Sequence, residues 1–432
     1  MSDKDEPIRE TELDKNSVTE STDAETTAPE IGTTAHPGAK FRWCVIVCVL
    51  TLLVPGIWYW QKGLNAQKQT DFQSACRQAI GREDWTALIE TASAWSEWDS
   101  EAADAWLHQA QGFQELGQLD RAAELLSQVP GQDDKTEAAL LVASSLYFED
   151  LGQPLKAVPV LKKLLKLNET LITAHQRLIF FYAITLQRVK MLEQIHQAIE
   201  VGAEPPDAYV YLQLASRLTF SNGYRLNQTW LRNKPDSQLF RVASAIQLSA
   251  ARDQAANVDN EPLAEKEKRH GAIRDLAREF PDNTSLLRYL LRLAVDRDDT
   301  DVVGQLLAGV PPHAWNDSVF WRFRGWYHHQ FEEFDKAEQA FRKSLELFPQ
   351  DWETWHSLAS TLRKKKELDG AERAQLIALQ GKELRKDILQ LSDARAVSPE
   401  VLTKMRNFCM ACGDQVTAAS LQTRIRMMIN YR

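Results

Sequence analysis

By type and spacing, the residues best suited to chemistry are Cys409 and Cys412, which form the chain's C-x-x-C pair. Two thiols at that spacing can make a redox couple or supply half of a tetrahedral zinc site. A redox pair wants a helix start behind a strand, and zinc wants a second ligand pair. Neither context surrounds Cys409-Met410-Ala411-Cys412, and the adjacent His328 and His329 do not give a spaced ligand pair. Both cysteines are therefore expected to pack, with a thiol-redox or metal-binding protein as the alternative. Cys44, Cys48 and Cys76 bring the total to five, too few and too scattered for a disulfide framework. The sequence has no phosphate-binding glycine loop, no G-x-S-x-G and no H-E-x-x-H, so no catalysis, cofactor or metal is expected. Arg363-Lys364-Lys365-Lys366 could contact nucleic acid or anionic lipid, but it falls at a turn, where charge runs are usually solvated.

The formal net charge is −9, and residues 1–40 alone hold ten acids and four bases. That balance gives no case for nucleic-acid binding. The tail 1–40 is rich in Thr, Ser, Glu, Asp and Ala and is read as disordered, because it has too little apolar surface to offset its ordering entropy. Next comes Trp43–Trp60, a run without a charge. At a helical rise it spans about 27 Å, close to a bilayer's hydrocarbon thickness. Trp43 stands at one edge and Trp58, Tyr59 and Trp60 at the other, as in an interfacial aromatic belt. Residues 41–61 are thus expected to be a single transmembrane helix, followed by a linker at 62–68. The long acidic leader argues against a cleaved signal peptide. Lys40 and Arg42 favour a cytoplasmic tail, which places the rest of the chain outside the cytoplasm, in the periplasm if the source is bacterial. Cys44 and Cys48 share one face of that helix, where they read as small apolar residues.

From residue 69 onward the pattern is one of short helices separated by turns, with no strand alternation. Trp321, Gly325, Ala337, Phe341, Leu345 and Pro349 fall at the repeat's offsets, and Trp355, Ala359, Ala371 and Leu379 follow Trp321, Gly325, Ala337 and Leu345 one repeat later. Trp321 to Trp355, Ala337 to Ala371 and Leu345 to Leu379 repeat with one period, the roughly 34-residue spacing of a helix-pair repeat. The stretch resembles the tetratricopeptide repeat, with Arg324 and His328 departing from its usual Leu and Tyr. Weaker copies fall at 103–135, 138–171 and 284–317, with degenerate ones near 69, 172 and 204. The unit at 236–283 carries a polar insertion at Ala255–Pro262, and a last unit opens at Ser398-Pro399-Glu400. About nine helix pairs are expected over 69–432, with degenerate repeats over 69–283 and clearer ones over 284–432. The resemblance implies an all-α solenoid wound as a right-handed superhelix.

In that family the first helix of each pair lines a concave groove. Carried over by register, Arg288, Arg292, Arg322, Trp326, His329, His356, Arg363 and Lys364 would form a basic wall with one aromatic residue. Such a wall suits an acidic segment or a terminal carboxylate. Trp326 and Ser357 stand where chaperone-tail binders need other residues, so that ligand is not expected. The resemblance implies a membrane-anchored scaffold or adaptor that binds a protein or peptide, with self-assembly through the ends of the solenoid as a further possibility.

Overall fold

The computed structural model describes residues 61–254 and 262–430, and the chain divides into two units, 1–68 and 69–432. In the first unit the described residues, 61–68, are helical. The tail and the apolar run 43–60 lie outside the described residues, as does most of the polar insertion after residue 254. No helix among the described residues is long and apolar enough to cross a membrane.

The described residues of the second unit form an all-α array of consecutive helix pairs. The helix α1 (69–81) precedes α2 (Trp85–Trp98), and α3 (Ala103–Glu115) precedes α4 (Leu119–Gln128). Next come α5 (Asp134–Ser145), continued by a π-helical turn at Leu146–Asp150, and α6 (Pro154–Leu167). They are followed by α7 (Ile172–Ile184), α8 (Arg188–Glu200), α9 (Ala208–Gln213), α10 (Gly223–Asn233), α11 (Gln238–Gln254) and α12 (Leu263–Glu279). The array ends with α13 (Thr284–Val295), α14 (Thr300–Ala308), α15 (Ser318–Gln330), α16 (Phe334–Leu347), α17 (Trp352–Lys364), α18 (Leu368–Ile388), α19 (Pro399–Cys412) and α20 (Gln415–Asn430). Among the described residues eight pairs turn through a residue of positive φ, whereas α9 packs chiefly on α7 and α8, and α10 chiefly on α11.

Two local devices recur at the repeat spacing. The first is the turn inside a pair. Glu83, Gly117, Gly152, Leu186, Asp298, Glu332, Lys366 and Gly413 all have positive φ. At most of them the next amide bonds back to a carbonyl five residues earlier, as in Gln118 N to Phe113 O at 2.8 Å and Glu333 N to His328 O at 3.0 Å. This is a Schellman-type stop, which ends one helix and aims the next. The second device is an indole tie. Trp106, Trp321 and Trp355 donate Nε1–H to the carbonyls of Ser100, Trp315 and Pro349, at 3.1, 2.8 and 2.7 Å. Each tie fixes the approach of the chain to the first helix of its pair.

The seam between paired helices is closed by small residues. Ala337 and Ala371 are buried, and a Cβ on Gly325 would stand 2.6 Å from the Phe341 ring. Leu379, in step with Leu345 by sequence, is exposed instead. Its helix α18 runs on to Ile388, and the packing face there is Ala378, Gly381, Leu384 and Ile388.

The array also folds back on itself. One apolar cluster joins Ala110–Phe240 directly to Phe348, Leu384, Met405, Phe408, Leu421 and Ile425, far along the chain. The bridge is α9, whose Ala208-Tyr209-Val210-Tyr211-Leu212 are all buried, as expected of a helix apolar all round. Tyr209 Oη lies 2.7 Å from Ser420 Oγ, Gln213 bonds to Gln350, and Gln350 Nε2 donates to Asp414 at 2.6 Å.

A side chain in the left-handed region costs about 1–2 kcal/mol, and glycine's extra freedom in the unfolded chain offsets about 0.5–1 kcal/mol of the relief. Glu332→Gly, at an exposed turn with φ 57°, is therefore expected to stabilise the protein by about 0.5–1 kcal/mol. The denaturant midpoint against wild type, read by circular dichroism, measures it.

Candidate functional site

The arginines assigned by register to a ligand groove turn out to have different employments. Arg288 Nη1 donates to Asp317 Oδ2 at 2.8 Å, and Arg322 Nη1 to Asp351 Oδ2 at 2.8 Å. Both pairs span 29 residues. They form a ladder in which an arginine of one pair grips the aspartate that caps the next. Asp317 accepts from Val319 N and Asp351 from Glu353 N, so each carboxylate also satisfies a free amide at a helix start. Arg322 is additionally 2.7 Å from Glu353, which pairs with Arg217 at 2.6 Å. Arg288 and Arg322, placed by register in a basic wall, thus hold carboxylates of the fold. The physical reason is burial: Arg322 is 6% exposed, and a buried cation needs a fixed counter-ion.

The ladder is also braced across the array. Arg188, at the start of α8, donates Nη1 to Asp317 Oδ1 at 2.5 Å and Nε to Ala215 O at 3.1 Å. Its Nη2 is buried without a hydrogen-bond partner among the described residues. Burial alone would raise the Asp317 carboxyl, but Arg188 and Arg288 outweigh it and hold it below the usual range. Burial pulls Arg188 down, whereas Asp351 and Glu353 overcome burial at Arg322 and hold it up.

The expected residues divide around this ladder. Arg188, Arg217, Arg288, Arg292 and Arg322 face a small interior cavity of about 50 Å³. Arg217, Arg292 and Arg322 also line a neighbouring cleft of about 240 Å³, with Trp326, Trp352, Glu353, Asp296 and the exposed His356. Arg292 is the exception among them. It is half-buried, lies 5.3 Å over the Tyr289 ring, and forms no ion pair with a described residue. Burial and the neighbouring Arg217 lower its pKa, against a weaker pull from Tyr289 and Asp296. Around the cavity and cleft, six arginines (Arg385 included) face the four carboxylates of Asp296, Asp317, Asp351 and Glu353. The surplus is positive.

His329, Arg363 and Lys364 do not join this cleft. His329 Nδ1 lies 2.9 Å from Thr361 Oγ1, Arg363 reaches Gln375, and Lys364 is exposed at the turn. Lys365 of the same basic run is held by Asp335, Glu338 and Glu367. Arg217, Trp352 and Arg385 come from outside the register positions, and Arg188 from more than a hundred residues away. The ladder had a readable signal, since Arg288 and Arg322 share the spacing of Asp317 and Asp351.

Cys409 is fully buried and Cys412 half-buried. Burial pushes both thiols far up, with Asp414 adding to it, so neither is a ready thiolate. Gln213 Nε2 lies 3.7 Å from Cys409 Sγ, which places that sulfur in the contact between α9 and α19. Among the described residues no cluster of His, Cys, Asp or Glu could hold a metal ion.

Removing one member of a buried ion pair costs about 3–5 kcal/mol, because the other charge is left uncompensated. Asp317→Asn is expected to destabilise the protein on that scale at neutral pH. The native carboxyl lies below its ordinary 3.8, so its contribution is present above that value and lost as pH falls through the lower native one. The stability gap between wild type and Asp317→Asn, measured by urea denaturation, should therefore narrow below about pH 4.

Comparison with known proteins places residues 321–351 in the tetratricopeptide repeat family. No curated protein matches the chain. Similar solved structures include a tetratricopeptide repeat protein from Parabacteroides merdae, at 14% identity and TM-score 0.27 over 68% of this chain and 99% of that one. Yeast Tom70 is similar at 15% identity and TM-score 0.28, over 84% of this chain and 76% of its own. Pseudomonas aeruginosa pilF is similar at 17% identity and TM-score 0.27, over 52% and 91%. The segment 321–351 thus matches a tetratricopeptide repeat and lies within an all-α array of helices.

Proposed function

We propose that this protein is a membrane-held scaffold whose cleft takes the carboxylates of an acidic segment of a partner protein. The observation that carries the reading is Arg292, a half-buried guanidinium at a cleft wall that forms no ion pair among the described residues, while its neighbours Arg217 and Arg322 are tied. Guanidinium and carboxylate match in planar, charge-assisted geometry. Trp326, Trp352 and Phe323 offer apolar walls for the stem of the same ligand. The fold supports a protein ligand, because stacked helix pairs present extended surfaces rather than a reaction centre. The overall charge of −9 disfavours a polyanion such as nucleic acid.

The anchor in this reading is the uncharged run Trp43–Trp60. Its flanking Lys40 and Arg42 favour a cytoplasmic tail with the repeats outside the cytoplasm. Tethering raises the effective concentration of the scaffold for a membrane-bound partner.

Two measurements test the reading. In fluorescence anisotropy with the full-length protein, a fluorescein-labelled peptide rich in Asp and Glu should bind more tightly than its Asn/Gln counterpart. Arg292→Gln should weaken that binding about tenfold, roughly the 1.4 kcal/mol of one exchanged charge contact, and Trp326→Ala should weaken it comparably. Equal affinity for the two peptides would sink the cleft. In alkaline carbonate extraction the protein should stay with the membrane pellet, and deletion of 41–61 should release it. Release of the intact chain would remove the anchor from the reading.

A further inference from the structure

A second pocket, of about 580 Å³, opens among α5's π-helical turn, α7, α9 and the segment before α19. Its volume is in the ordinary range for ligand sites. Phe148, Phe180 and Tyr211 supply aromatic wall, with Phe148 and Phe180 ring centroids 6.3 Å apart. Phe148 and Glu149 both sit on the π-helical turn, a distortion frequent at functional sites.

Three carboxylates line this pocket, and two are neutralised. Arg177 is 3.0 Å from Glu149 and also donates to Ser144 and Ser145, at 2.8 and 2.7 Å. Arg395 is 3.2 Å from Asp393. The third carboxylate, Asp207, is only 6% exposed, and among the described residues it forms no ion pair and its buried Oδ1 has no hydrogen-bond partner. Burial raises its pKa, against the hydrogen bonds it receives from its own backbone, Gln176 and Tyr211, and the weaker pull of Arg395, which is paired with Asp393. A buried carboxylate in that state is costly unless a cation meets it. Aromatic faces beside it favour a cation as well, through their negative quadrupole. An anionic ligand would meet the same carboxylate as repulsion.

We infer that this pocket receives a lysine or arginine side chain of a partner protein, its charge held by Asp207 and its stem packed on Phe148, Phe180 and Tyr211. The inference is independent of the acidic-segment cleft, which uses none of these residues.

The test uses the full-length protein and four acetylated, amidated, labelled nonapeptides of Ser and Ala with a single central Lys, Arg, Gln or Glu. By fluorescence anisotropy, the Lys and Arg peptides should bind at least tenfold more tightly than the Gln peptide, with Glu the weakest. Asp207→Asn should erase that preference. Thr173→Lys, at an exposed position on the pocket wall, places an internal ammonium at the same site. It should reduce binding of the Lys peptide at least tenfold while leaving the melting curve in place, and it decides the matter if Asp207→Asn loses its fold. Arg292→Gln should leave the preference intact, which separates this pocket from the cleft. Equal binding of all four peptides by wild type, or a charge preference undiminished in Thr173→Lys, would overturn the inference.

Discussion

Two arginines converging on one buried carboxylate organise the repeat array. Asp317 starts α15, receives Arg288 from the preceding pair and Arg188 from across the array. The first contact sets the step between neighbouring repeats. The second determines how far the array turns before its distant parts meet. Stacked helix pairs bury apolar surface only against adjacent pairs and so leave curvature loosely specified. A buried ion pair is sensitive to geometry, since a small displacement leaves a charge unsatisfied. That sensitivity, together with the apolar bridge through α9, gives the array a defined closure.

The repeat itself was legible in the sequence because its determinants are local. Gly325 and Phe341 meet within one helix pair, Ala337 shares their seam and Trp321 ties the entry to it, and their spacing follows from helix geometry and a short turn. The turn residues were not legible. Glu332 and Lys366 hold the same left-handed conformation as Gly117 and Gly152, and side chains that tolerate that strain leave no mark in composition. Of the candidate site, Arg292, Arg322, Trp326 and His356 do come together, because register places all of them on first helices of their pairs. What register could not show was whether each charge was already committed. Arg288 and Arg322 are used within the fold, and the residue that consumes Arg188 lies 129 positions away.

The fold-back through α9 changes what the inner face of the array can offer. An open solenoid would present one continuous groove. Here α9 and the residues after it fill part of that face. Asp207 and Tyr211 look into an acidic, aromatic pocket, while Leu214, Ser216 and Arg217 border the arginine-rich side. A short apolar helix therefore separates two pockets of opposite charge. A partner engaging both would need acidic and basic residues in a fixed order, which is a stronger constraint than net charge.

The most direct measurement is photo-crosslinking in the native host, with a photoreactive residue at position 356 on the rim of the cleft and, separately, at exposed position 342 on α16. The account predicts a discrete adduct from position 356, absent from position 342, whose crosslinked segment is rich in Asp and Glu when mapped by mass spectrometry. The same adducts from both positions, or a segment at position 356 without acidic residues, would contradict it.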